Sequence, residues 1–128
     1  MLFRSLDFSV VLYSIKGTPL RGEPIFDEQT KELTGYKDST LGSCAFEGLF
    51  ADEKGLSGTK KMERHRLGAM VQKSIESKEP VDLKVEEVSL IKELVGQHCN
   101  VATVGAVWNE IERQSSAKAE DKPAEGKA

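Results

Sequence analysis

The chain predicts an α+β fold: an N-terminal β-hairpin followed by about four helices, the last two forming an antiparallel helix pair. Three observations lead there. Leu6, Phe8, Val10 and Leu12 alternate with Asp7, Ser9 and Tyr13, the period of a half-buried strand. From Thr40 onward the apolar spacing changes to that of amphipathic helices. Over residues 81–113 two such stripes stand close together on either side of Gly96, and a short link makes the helices that carry them antiparallel neighbours. With 128 residues the chain is one domain, and 38% hydrophobic residues supply a modest core.

The first strand is expected over residues 6–15, although Val11 breaks its alternation. Lys16-Gly17-Thr18-Pro19 is a turn, with Gly17 supplying positive φ. A second strand over residues 20–26 completes the hairpin, and Pro24 confines it to an edge. Residues 27–39 are polar and read as a long loop or as a second hairpin through Thr30 to Tyr36. Thr40 is the N-cap of a short helix on which Leu41, Cys44, Ala45 and Leu49 recur at helical spacing. Gly42 and Gly48 weaken that helix by about 1 kcal/mol each and invite the close approach of a neighbour.

A linker over residues 52–58 leads to the longest helix, residues 59–77, capped by Ser57 or Thr59. Leu67, Met70, Val71, Ser74 and Ile75 make its inner stripe, and Pro80 ends it. A short extended piece at 81–83 precedes a helix over 85–95, with Val88, Ile91, Leu94 and Val95 inward and Val85 at its start. Glu86 and Glu87 sit in its first turn, where the helix dipole favours them, and Gly96 is its stop. Asn100 caps the last helix, 101–113, whose inner face is Val101, Val104, Val107, Trp108 and Ile111. The expected core anchors are thus Leu67, Met70, Val71, Ile91, Leu94, Val95, Val104, Trp108 and Ile111, with Trp108 needing a partner for its indole N–H. Residues 1–113 form the domain. Residues 114–128 carry no large apolar side chain and are expected to be a disordered tail.

Charge and composition narrow the function classes. Eighteen Lys and Arg against 21 Asp and Glu leave a net charge of −3 with both signs interspersed. That balance gives no electrostatic reason for general nucleic-acid or anionic-membrane binding. No stretch approaches the roughly 18 apolar residues of a membrane span, and Asp7 beside the short run Val10–Tyr13 makes a poor signal peptide. Cys44 and Cys99 then read as reduced thiols in a cytoplasm.

Catalytic chemistry finds little to stand on. Cys44, His65, His98 and Cys99 are the soft metal ligands, but they lack any Cys-x-x-Cys or His-x-x-x-His spacing. No metal and no cofactor is expected. Cys44 lies on an apolar stripe, as a small core residue would, and no nucleophile signature surrounds either thiol. Glu86-Glu87 and the Glu110, Glu112 pair read as solvated helix faces. The glycines at 55 and 58 lack phosphate-loop spacing. Helix–Gly–helix at 85–113 suggests a helix-turn-helix, but its second helix carries Glu110 and Glu112, which phosphates would repel. The face open to an acidic partner or to nucleic acid is instead the basic side of the longest helix: Lys60, Lys61, Arg64, His65, Arg66 and Lys73.

Three pieces in order carry a family resemblance. They are Leu41-Gly42-Ser43; Leu56-Ser57-Gly58-Thr59-Lys60-Lys61 through Arg64 and Arg66-Leu67; and Val81-Asp82-Leu83 with Glu86-Glu87-Val88, the run from Leu90 to Gly96, Val104-Gly105 and Trp108. Over about residues 40–113 the chain resembles a group of small proteins encoded by tailed bacteriophages and prophages. The group often has threonine where Lys84 stands and proline near Ala102. It carries no assigned activity, so no functional residue transfers from it.

The resemblance implies a phage origin. Together with the absence of a reactive cluster it leads to the expectation of a non-enzymatic protein that binds another protein, phage or host, or a second copy of itself. The first expectation is a virion or assembly accessory of tail or head, located in the host cytoplasm or the virion. An inhibitor of a host enzyme or defence complex is the alternative, and a nucleic-acid accessory using the basic helix is a third. Residues 20–26 and 27–39 offer the docking surfaces.

Overall fold

The computed structural model describes residues 3–120. Among these described residues the fold is α+β, with four strands and four helices in the order β1 (Phe3–Leu6), β2 (Arg21–Phe26), β3 (Leu33–Asp38), α1 (Leu41–Leu49), α2 (Gly58–Ser77), β4 (Val81–Lys84), α3 (Val85–His98) and α4 (Val101–Glu120). No helix among the described residues is long and apolar enough to cross a membrane.

The strands pair differently from the expected hairpin. β1 is antiparallel to the distant β4, with Phe3 opposite Lys84 and Leu6 opposite Val81. The strand expected over 6–15 is interrupted because Asp7 competes for the backbone. Its carboxylate accepts both the N–H (2.9 Å) and the hydroxyl (2.6 Å) of Ser9 and turns the chain. Beyond that turn, Val11 bridges to Thr40 and Tyr13 to Pro19, and the turn at residues 14–18 forms around Gly17 at φ 85°. The hairpin expected around Lys16–Pro19 is therefore reduced to a short one, and β2 takes β3 as its main partner in the hairpin through Thr30 to Tyr36. Its tip is organised by Asp27, whose carboxylate accepts the N–H groups of Gln29 and Thr30.

α1 is the centre of the body. Thr40 and Ser43 form a reciprocal capping box at its start. Leu41, Cys44, Ala45 and Leu49 are buried, and α1 packs against α2, α3 and α4. Its glycines set how closely. A Cβ on Gly42 would meet the Ile75 side chain at 2.3 Å. A Cβ on Gly48 would lie 2.8 Å from the backbone nitrogen of Val95 and 3.0 Å from the Leu94 carbonyl carbon, so α1 and α3 touch backbone to backbone there.

Ser57 caps α2 by accepting the Lys60 N–H, and Lys78, at φ 58°, ends it ahead of Pro80. α3 runs through Gly96 to His98 and is closed by Cys99, so Gly96 is a helical residue and not the stop. A Cβ on Gly96 would meet the Trp108 ring at 3.6 Å, an ordinary contact. Asn100 caps α4 by accepting the Thr103 N–H at 2.9 Å.

Leu67, Val71, Ile91, Leu94, Val95 and Ile111 are buried core residues, and Met70 and Val104 pack against them half-buried. Two expected inner-face residues are elsewhere. Val101 is 90% exposed, and Trp108 is 41% exposed. α4 turns Val107 and Ile111 inward, which carries Trp108, one residue on, round to the seam with α3. There its indole N–H donates to the Lys92 carbonyl (3.1 Å) and the Lys92 ammonium lies over its ring (4.8 Å).

α4 also passes Arg113, where its apolar stripe ends. The Gln114 carboxamide accepts the Asp7 N–H (2.8 Å) and donates to the Asp7 carbonyl (3.1 Å), and Arg4 donates to the Ser115 hydroxyl. Polar pairing to the N-terminal segment therefore holds a turn that burial alone does not. The rest of the expected tail, residues 121–128, lies outside the described residues.

Gly48→Ala tests the contact between α1 and α3. The expected outcome is a loss of about 1–3 kcal/mol in urea denaturation despite alanine's higher helix propensity. Unchanged stability would mean that the two backbones separate without cost.

Candidate functional site

The basic side of α2 is only partly a free cationic surface. Lys60, Lys61, His65 and Lys73 are exposed. Arg64 is buried, with its guanidinium 2.8 Å from Glu53 Oε2, and His98 Nε2 is 3.1 Å from the same oxygen. The hydrogen bond from Arg64, and after it that from His98, holds the Glu53 carboxyl below its ordinary pKa. Arg66 is tied to Glu87, which is buried rather than solvated and also accepts the Lys84 N–H at 2.8 Å, closing the start of α3. Burial raises the Glu87 pKa, but the Arg66 hydrogen bond and the Lys84 N–H outweigh it and the net shift is downward. Two of the six expected cations are thus neutralised by carboxylates that join α2 to its neighbours.

One thiol, Cys99, and one imidazole, His98, engage carboxylates. Cys44 is buried in α1, and burial, then the charge of Glu47, raises its pKa. The Cys99 thiol donates to Glu47 (3.5 Å). Burial, then Glu47, pushes its pKa up to about 12. A thiol so disposed is protonated at neutral pH and a poor nucleophile. His98 stands in the last turn of α3 and faces Glu53. Among the described residues no group of three or more His, Cys, Asp or Glu side chains could hold a metal ion.

Two exposed apolar surfaces stand apart from the helical core. The first is the β2–β3 ribbon. Its strands pair with each other and pack on no other strand or helix to any extent. Phe26 stands opposite Leu33 and Pro24 opposite Tyr36. Ile25, Phe26, Leu33 and Tyr36 are 40–55% exposed, and Arg21 lies over the Tyr36 ring at 5.2 Å. A lone two-stranded hairpin is marginal in water, and this one carries its largest side chains without cover from the rest of the fold.

The second is a groove of about 1270 Å³ between residues 10–15 and α4. Val11, Tyr13 and Ile15 form one wall and Val101, Ala102 and Gly105 the other, with Glu110 and Arg113, paired at 3.0 Å, at one end. The sequence reading missed this groove because helical periodicity placed Val101 inward. The signal available was Val11, the residue that breaks the alternation of 6–15. Leu12 points into the core while Val11 and Tyr13 remain outside it.

No protein-family model, no curated protein and no solved structure matches the chain.

Two measurements check the electrostatics of these groups. A carboxylate with a lowered folded pKa contributes stability that is present above its unfolded pKa and lost as pH falls through the folded value. Glu53→Gln is therefore expected to lower stability at pH 7 and to flatten its decline between about pH 5 and pH 3; an unchanged pH profile would remove Glu53 from the acid response. Alkylation of the native thiols at pH 8 is expected to run about 10²-fold or more slower than that of the unfolded chain, and equal rates would contradict the raised pKa values.

Proposed function

We propose that this chain acts by binding another protein, with the β2–β3 ribbon as its docking arm, and we assign it no catalytic step. One observation carries the reading: Ile25, Phe26, Leu33 and Tyr36 are held on a paired ribbon that the body does not cover. Exposed apolar side chains on a ribbon that is marginal alone gain stability when a partner covers them, which couples docking to the ordering of the arm. The free backbone edges of β2 and β3 also offer strand addition to an extended partner segment.

The phage resemblance of residues 40–113 supports placing this role in a bacteriophage or prophage, as a virion or assembly accessory of tail or head. An inhibitor of a host enzyme or defence complex would use the same arm, and the identity of the partner separates the two. A nucleic-acid accessory role has less support, because Arg64 and Arg66 are already tied to Glu53 and Glu87.

Affinity capture from infected cells, read alongside mass spectra of purified particles, tests this. Phe26→Asp with Leu33→Asp is expected to abolish capture of the partner, while Lys61→Glu with Lys73→Glu leaves it intact, and circular dichroism is expected to be unchanged in both. The reverse pattern, with capture surviving on the arm variant and lost on the lysine variant, would move the site to α2.

A further inference from the structure

We infer that the arm's partner is a second copy of this chain, the β2–β3 arm of each copy seating in the other's groove between residues 10–15 and α4. This rests on the reading of the ribbon as a protein-docking arm and names what it docks on.

The two apolar parts suit each other. One is a projecting ribbon, the other a concavity of about 1270 Å³, above the roughly 300–1,000 Å³ of small-molecule pockets and suited to a chain segment. The arm does not fill the groove of its own chain, since none of residues 21–38 lines it. It springs from the groove's own wall: Leu12 donates to the Ser39 carbonyl (2.9 Å) and accepts from the Leu20 N–H (2.9 Å), so both roots of the arm are bonded to residues 10–15. Arm and groove thus adjoin at these roots, and together they make a patch with a convex and a concave half. A two-fold axis through such a patch satisfies both halves at once and closes the assembly as a dimer.

The area is sufficient. A large side chain buries roughly 200 Å² when fully covered. On that basis the exposed parts of the arm's four apolar side chains, with Tyr13, Ile15 and Val101, offer at most roughly 800 Å² per copy when all are covered, the size that a standard stable interface uses on each side. The chemistry points the same way. The groove's charges, Glu110 and Arg113, are spent on each other, so it asks for an apolar occupant and no ionic one.

The test is sedimentation equilibrium of the full chain from about 1 to 100 μM, which reaches the weak end of the micromolar-to-picomolar range of interfaces this size, with two variants. Phe26→Asp alters an exposed arm residue. Val101→Asp alters an exposed residue at the first position of α4, where an acidic side chain is favoured, so the fold is kept. The wild type is expected to be dimeric and each variant to weaken association at least ten-fold. A photo-crosslinker placed at position 26, in a mixture of isotope-labelled and unlabelled chains, is expected to join residues 10–15 or 101–113 of the other copy.

A wild type that stays monomeric at the highest concentration overturns the inference, as do crosslinks confined to arm against arm. If that monomer still loses its captured partner on Phe26→Asp, self-association alone has failed and the docking reading stands. If capture is indifferent to Phe26 as well, both have failed.

Discussion

The backbone contact between α1 and α3 at Gly48 is the constraint on which the rest of this fold depends. A short helix with two glycines is a poor helix by propensity. It persists because Leu41, Cys44, Ala45 and Leu49 are buried among three other helices, and because its orphan N–H groups are satisfied. Thr40 takes one of these through its side chain, and the carbonyls of Phe8 and Val10 take those of Gly42 and Leu41, each at 2.9 Å. The same segment donates the Phe8 N–H to Ser74, whose hydroxyl donates to the Glu79 carbonyl and fixes the end of α2. The N-terminal residues are thus bonded to α1 and α2 at once, and β1 can reach β4 across the chain.

Once the body closes in this way, it has no place for the arm. β2 and β3 leave it at Leu20 and return at Ser39, where the Ser39 N–H donates to the Leu20 carbonyl at 2.8 Å. Everything between those residues is exposed or half-buried. The contrast in polar bookkeeping is sharp. The buried ionic groups of the body, Arg64 with Glu53 and Glu87 with Arg66, are paired, and a buried charge is tolerable only in that state. The arm and the groove, by comparison, hold apolar surface that nothing in the fold compensates. That asymmetry is the basis for reading the chain as a protein built to be covered by another.

How much of this the sequence disclosed follows from the range of the signals. Caps and stripes are local, so Thr40, Ser57, Asn100 and the inward Leu67, Val71, Ile91 and Leu94 were legible. The mixed fold and the packed last pair of helices were legible for the same reason. Strand pairing is not local. Nothing near Leu6 says that its partner is Val81, and the Asp7 turn that redirects the chain looks like one more polar residue in an alternating strand. Gly96 misled because a glycine late in a helix resembles a stop, whereas α3 continues two residues further and is closed at Cys99. Arg64 misled because a helical wheel cannot show the Glu53 that folds over it. The groove was invisible in principle: its walls are ninety residues apart in the chain, and only the fold brings them together.

Native-state hydrogen exchange tests the central claim most directly, because it compares the arm with the body in one molecule. In dilute solution the amides paired across β2 and β3 should exchange orders of magnitude faster than those of α1, since an uncovered ribbon opens without opening the core. They should slow when the arm is covered by its partner. Arm amides as protected as those of α1 in the isolated chain, with no further slowing on association, would show that the ribbon belongs to the body and contradict the account.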